Sequence, residues 1–188
     1  MFQKDRMHLV MKEILRLGIK EVYSLGDIDS PLPMRVKTIS DFGLNDNLKI
    51  ITVDKYGNPD IRCDLNGKWN FKNCECIFAG EVIEHVLNPT EFIQKCHGAL
   101  NSGGHLILTT PNWGFYLWRL QSLMGAVPEI IRYDKLHGNT RHYNAFSVGD
   151  IERLLADNHF RILRFVKIWK IPAPLSWQPT TMVVAKKE

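Results

Sequence analysis

IFAGEVIEHVLNPTEFIQKCHGALNSGGHLILTTPN, from Ile77 to Asn112, is the stretch on which the fold of this chain turns. It opens as an apolar strand that runs straight into a helix studded with ligating side chains. Glu81, Glu84 and His85 stand at i, i+3 and i+4, so on a helix turning roughly 100° per residue they share one face beside the strand's end. In open α/β sheets that end of a strand is where ligands bind.

Outward from this stretch the chain alternates strand and helix. Met7 to Leu17 places Leu9, Val10, Ile14 and Leu17 on one helical stripe, with Gly18 as the stop. The runs EVYSL (Glu21 to Leu25), KIITVD (Lys49 to Asp54), DIRCDL (Asp60 to Leu65), CECIFAG (Cys74 to Gly80) and HLILTTP (His105 to Pro111) predict strands. A helix from about Pro89 to Leu100 puts Phe92, Ile93, Cys96 and Leu100 at core spacing and ends at Asn101-Ser102-Gly103-Gly104. Ser147 caps another helix, VGDIERLLADNHF, with Ile151, Leu154 and Leu155 facing inward. FRILRFVKIW and TTMVVAKK finish the chain, and the loop between them is too short for a helical crossover, so they should pair antiparallel. Strands separated by helices imply a mainly parallel sheet covered on both faces. No internal repeat or dividing linker is visible, so residues 1–188 read as one domain.

Composition narrows the class. At 188 residues, 45% hydrophobic and 23% charged, the chain suits a globular domain with a real core and excludes disordered and fibrous classes. No uncharged apolar run approaches the roughly 20 residues that cross a bilayer, and MFQKDRMHLVMKEILRLG is an amphipathic helix pattern rather than a signal peptide. A cytoplasmic location is the simplest expectation. Cys63, Cys74, Cys76 and Cys96 lack the paired CxxC spacing of a zinc site, so reduced, buried thiols are expected. The net charge of +4 is scattered, without the basic run of a dedicated nucleic-acid arm.

Asp54 ends the strand ITVD, where a carboxylate could accept both hydrogen bonds of a ribose diol; Asp64, after the next strand, could accept from an adenine amino group. Either alone also suits a turn or cap. Two after successive strands point to a nucleoside pocket. Gly26 follows EVYSL where a cofactor loop would begin, but SLGDIDSP holds that one glycine and no GxGxxG.

In this order EVYSLG, ITVD, CDL, IFAGEVIEHV, ALNSGGHLILTTPN and RHYNAFSVGDIERLLADNHFRI resemble a class I S-adenosylmethionine-dependent methyltransferase over nearly the whole chain. The resemblance implies a Rossmann-like sheet of seven strands with a C-terminal antiparallel hairpin. It places S-adenosylmethionine over the strand ends, with Gly26 and Asp27 in the first loop, Asp54 on the ribose, Asp64 and Leu65 near the adenine, and Gly80 and Glu81 near the sulfonium. The first loop departs from the family pattern, since Ser24, Ile28 and Ser30 stand at its acidic and later glycine positions. Side chains at Ile28 and Ser30 would crowd the methionine moiety unless the loop takes another course.

The ExxEH pattern is also similar to that of plant small-RNA 2′-O-methyltransferases and ubiquinone-biosynthesis O-methyltransferases. That likeness implies a divalent cation, Mg or Mn, on Glu81, Glu84 and His85, with His142 in RHYNAFS as first choice for a fourth ligand and His137 as second. Mixed oxygen and nitrogen ligands would leave positions open for two neighbouring hydroxyls and lower the pKa of the attacking one. The alternative is that Glu84 and His85 merely cap and solvate a helix whose Val82, Ile83, Val86 and Leu87 are core. Without metal, His142 or His85 could act as general base.

Residues 113–140 break the alternation: WGFYLWRLQSLMGAVPEIIRYDKLHGN is aromatic and reads as an acceptor-binding lid. Its PNWGFYLWRLQSLMG portion resembles MetW-like proteins of methionine metabolism. The expected activity is O-methylation of a vicinal diol, with a glycan sugar as preferred acceptor, RNA ribose second and a catechol-like small molecule third. A non-catalytic binding module with a degenerate cofactor loop is the reading from another class. Oligomeric state is open.

Overall fold

Central strands buried on both faces and apolar stripes along the helices produce a three-layer α/β architecture in the computed structural model. It describes residues 2–26, 48–126, 142–168 and 174–188, with side chains from Arg6 onward. Helix α1 (Phe2–Arg16) precedes β1 (Glu21–Leu25), β2 (Lys49–Asp54), β3 (Ile61–Arg62) and β4 (Cys74–Gly80). Helix α2 (Pro89–Ala99), β5 (Leu100–Pro111), α3 (Tyr116–Leu123), α4 (Val148–Ala156), β6 (Phe160–Phe165) and β7 (Thr180–Lys187) follow.

The seven strands lie in the order β3-β2-β1-β4-β5-β7-β6. β1 pairs parallel with β2 and β4, β2 with β3, and β4 with β5; β7 runs antiparallel to both β5 and β6. The chain therefore moves outward from β1 in one direction and resumes at β4 on the other side, which leaves a crevice between the carboxyl ends of β1 and β4.

Both faces of the sheet are covered. Ile77, Ala79, Leu106, Leu108, Val183 and Ala185 turn to one side, against Phe92, Ile93 and Cys96 of α2 and Ile151 and Leu155 of α4. Cys76, Phe78, Ile107, Met182 and Val184 turn to the other, against Met7, Val10, Met11 and Ile14 of α1. All four cysteines are buried free thiols, as expected, and burial pushes the Cys74 thiol up to about 12. No described helix is long and apolar enough to cross a membrane.

The boundaries of β1, β2, β4 and β7 coincide with the expected runs; β6 ends at Phe165 within the expected FRILRFVKIW, and three further differences shape the sheet edge. β3 shrinks to Ile61–Arg62, because Asp60 turns its carboxylate onto the Thr52 N–H and hydroxyl, both at 2.8 Å, and Asp64 closes a turn on the Asn66 N–H. β5 starts at Leu100 rather than His105, its partners jumping from Cys74–Leu100 to Cys76–His105, so Asn101–Gly104 is an irregularity inside the strand.

The third difference is the helix expected over EVIEH. Glu81 takes φ of 57°, and its N–H continues the sheet ladder to the Thr109 carbonyl at 2.9 Å. Only one 3-10 turn follows, Ile83–His85. Pro89 disfavours helical backbone at Asn88, and Asn88 instead caps α2 by accepting the Glu91 N–H at 3.1 Å. Helical spacing is therefore not what gathers the ExxEH side chains.

Helix α4 begins on a capping box: Ser147 Oγ accepts the Asp150 N–H, and the Asp150 carboxylate accepts the Ser147 N–H at 2.9 Å. Ser147→Ala is expected to cost about 1 kcal/mol, read as a lower urea midpoint. The Ser147 hydroxyl and N–H hold the Asp150 carboxyl below its ordinary 3.8. A depressed folded-state pKa stabilises above 3.8 and fades as pH falls through the lower folded value. The difference between wild type and variant should therefore shrink only in strong acid.

Candidate active site

The carboxyl edge of the parallel strands gathers most of the residues singled out for a cofactor. Gly26 follows β1 with φ of 68°, donates its N–H to the Val53 carbonyl at 2.9 Å, and would bring a Cβ to 2.8 Å from Val82 Cγ2. Only glycine fits there, both for its left-handed backbone and for the approach of the chain after β4. Asp54 ends β2 half-buried, one carboxylate oxygen accepting the Tyr56 N–H at 2.8 Å. Asp64 is committed elsewhere: Lys55 Nζ lies 2.7 Å from its carboxylate, and that bond holds the carboxyl below its usual range. Leu65 is half-buried against the core, its carbonyl accepting Trp69 Nε1–H at 3.2 Å. Gly80 closes β4, where a Cβ would meet the Phe78 ring at 2.5 Å. Ser24 is fully buried on β1. Asp27, Ile28 and Ser30 lie outside the described residues, as does His137.

Glu81 parts company with Glu84 and His85. Its carboxylate meets Arg6 of α1 at 2.9 Å, and Arg6 is only 7% exposed. This pair ties α1 to the end of β4 on the rim of the crevice. Arg6 was not among the expected site residues, and no motif around it marks it.

What Glu84 and His85 meet instead is His142. One carboxylate oxygen of Glu84 and one ring nitrogen from each histidine lie within 4.8 Å of one another. The two imidazole rings stand 4.7 Å apart between centroids. Glu84 is 2% exposed; its Oε2 accepts the Thr110 hydroxyl at 3.0 Å, while Oε1 is buried with no hydrogen-bond partner among the described residues. Burial first, then the nearby Glu81 charge, raises the Glu84 carboxyl well above its ordinary range.

Backbone stitching delivers His142 to this place. The Tyr143 and Asn144 N–H groups both donate to the Glu84 carbonyl, at 2.8 and 3.1 Å, and Asn144 Nδ2 donates to the Val86 carbonyl at 2.7 Å. Trp113 N–H reaches the Phe146 carbonyl at 2.8 Å. The segment before α4 is thus laced onto the 3-10 turn and the end of β5. RHYNAFS suggested His142; the contributions of Thr110 and Asn144 had no signal beyond their proximity to it and to TTPN.

Against the trio opens a cleft of about 90 Å³ lined by Glu84, Pro111, Trp113, His142, Tyr143, Asn144 and Ala145. One end is acidic and imidazole-bearing; the rest is an indole, a proline and an alanine together with Tyr143 and Asn144. Of the expected lid, α3 is described and none of its residues is buried; positions 127–141 are outside the described residues.

A family model described as "Methyltransferase domain" matches residues 27–164. The mitochondrial ubiquinone biosynthesis O-methyltransferase of Dictyostelium discoideum is 24% identical over 177 residues, covering 92% of this chain and 52% of that protein. The chain thus spans about half the length of that curated relative. The solved methyltransferase domain of bacterial CtHen1-CN superposes with a TM-score of 0.68 at 18% identity, covering 99% of this chain and 100% of that one. Magnesium protoporphyrin IX methyltransferase from Synechocystis PCC 6803, solved with bound SAH, gives 0.64 at 16% identity, covering 99% and 84%. With more than half its length matched by the family model, the chain belongs to the methyltransferase-domain family, and its sheet shares the fold of these solved methyltransferases.

Proposed function

We propose that this protein is an O-methyltransferase that binds S-adenosylmethionine across the crevice between β1 and β4 and methylates one hydroxyl of a vicinal diol held in the Trp113 cleft. The observation that carries the reading is the Glu84, His85 and His142 cluster, of which Glu84 and His142 line that cleft. The ubiquinone-biosynthesis relative supports transfer to oxygen.

The residues at the crevice suit the cofactor. The half-buried Asp54 carboxylate at the end of β2 matches a ribose diol. Arg6 Nε, buried with no hydrogen-bond partner among the described residues, is a donor that suits an amino acid's carboxylate. Gly26 keeps the rim free of a side chain. S-adenosylmethionine would supply there a methyl carbon on a positively charged sulfur, open to attack by the acceptor oxygen, with the sulfur leaving as a thioether that keeps the C–S electron pair.

The trio suits a divalent cation. Glu84 Oε1 is a buried acceptor with no hydrogen-bond partner among the described residues, which a cation would satisfy, and carboxylate with two imidazoles favours Mn over Mg, which prefers oxygen alone. Glu84, His85 and His142 are the residues that would hold the ion, and the chemistry it would supply is Lewis-acid lowering of the pKa of the attacking hydroxyl. Glu81 stays on Arg6 and contributes negative charge at the rim. His142, exposed at the cleft mouth, is the general base that takes the hydroxyl proton on a ring nitrogen if no cation is used.

The lining bears on the acceptor. A glycan sugar presents hydroxyls around its whole ring, whereas Pro111, Trp113 and Ala145 offer flat, apolar contact. A catechol-like ring with two adjacent hydroxyls therefore fits the described lining better than the sugar favoured from sequence; RNA ribose is the other diol to assay.

Two measurements test the proposal. Calorimetric titration with S-adenosylhomocysteine should show binding, and silence at millimolar ligand would instead indicate a non-catalytic module. Turnover on a catechol should fall on adding a chelator and return with Mn²⁺; undiminished turnover in chelator would reject the cation and leave His142 as base.

A further inference from the structure

We propose that Thr110 is a positioning residue: by holding Glu84 Oε2 it presents the other oxygen of that carboxylate to the cation and so sets the site's metal affinity. This rests on the cation reading above. Thr110 lies on β5 and is fully buried. Its backbone is held within the sheet interior, opposite Thr181 of β7. A β-branched side chain there has little χ1 freedom, so its hydroxyl is a donor fixed in place. That hydroxyl donates to Oε2 at 3.0 Å, across 26 residues of sequence.

The consequence is geometric. The Glu84 backbone is held by the Tyr143 and Asn144 N–H groups on its carbonyl, but glutamate reaches its carboxylate through three rotatable bonds, which those contacts do not fix. With Oε2 tied to Thr110, Oε1 is left buried and without a hydrogen-bond partner among the described residues, in a carboxylate one oxygen of which lies within 4.8 Å of a nitrogen of both His85 and His142. Remove the donor and the carboxylate can turn so that neither oxygen is presented at a defined place. Hydrogen bonds that orient ligating side chains typically govern metal affinity by about 10–100-fold, and sites mounted on strands are held more tightly than those on loops.

The test uses Mn²⁺ alone, titrated calorimetrically and by the loss of the free-ion paramagnetic resonance signal, so no turnover is required. Thr110→Val keeps the shape and removes the donor. It should weaken Mn²⁺ binding by about 10–100-fold with the circular dichroism spectrum unchanged. Thr110→Ser restores the donor and should bind close to wild type. Thr110→Ala removes donor and methyl together and should match the valine variant, which covers the case of valine failing to fold. Equal affinity in wild type and Thr110→Val would overturn the proposal while leaving the cation site intact. A serine variant as weak as valine would also overturn it, since packing rather than donation would then be responsible. Wild type binding no Mn²⁺ would overturn the cation reading and this inference with it.

Discussion

Glu84→Gln should lower metal-supported kcat/KM by about 10³-fold and leave the thermal midpoint close to that of the wild type. The two halves of this expectation come from one observation, a carboxyl that is 2% exposed beside the end of β5. Burial and the Glu81 charge favour its protonated form in the absence of a cation. A protonated carboxyl and a carboxamide are nearly the same shape, so glutamine can occupy the space, and the Tyr143 and Asn144 N–H groups still meet the residue-84 carbonyl. The fold therefore has little to lose. Catalysis has much to lose, because the amide can neither ionise nor supply charge to a cation. Lewis-acid stabilisation of a developing alkoxide is worth several kcal/mol, and about 4 kcal/mol corresponds to about 10³ in rate. Steady-state kinetics at saturating Mn²⁺, alongside thermal melts, decide the matter. A variant keeping more than a small fraction of the rate would remove Glu84 from the mechanism.

Local pattern was sufficient where a residue's partner is its own strand or helix. EVYSL, KIITVD, CECIFAG and TTMVVAKK carry apolar residues bounded by breakers, and the sheet uses them at those limits. Ser147 caps the helix that follows it directly, so that cap is legible from sequence, and the structure adds the return bond from Asp150. Local pattern failed at Glu81 to His85 because helical spacing there is cut by the Asn88-Pro89 stop, and the residues that decide each side chain's company come from far along the chain. Arg6 draws Glu81 away from 75 positions earlier in the chain, and Thr110 and His142 arrive at Glu84 from β5 and from the segment before α4. Spacing alone could nominate the acid and imidazole groups. It could not say which carboxylate faces the histidines, since that depends on the Glu81 backbone turning left-handed at the sheet edge.

The same distinction separates the two aspartates proposed for the nucleoside, and it yields the second large effect. Asp54→Ala should raise the dissociation constant for S-adenosylhomocysteine by about 100-fold, whereas Asp64→Ala should change it by less than about tenfold. Both carboxylates follow strands at the same edge, but Lys55 already sits 2.7 Å from Asp64, and the Asn66 N–H takes its other oxygen at 3.0 Å. An adenine amino group would have to displace the lysine, whose departure from so exposed a pair costs little and gains little. Asp54 gives one oxygen to the Tyr56 N–H, a bond that steers the carboxylate over the end of β2. Two ribose hydroxyls donating to an ionised acceptor are worth about 1.5–3 kcal/mol each in a favourable setting. Half-exposure of Asp54 argues for the low end, about 3 kcal/mol for the pair, which is about two decades in affinity. Calorimetric titration of both variants gives the comparison directly. Reversed sensitivities would place the nucleoside beyond β3 rather than over β2, and equal indifference would mean that no ribose lies on this edge at all.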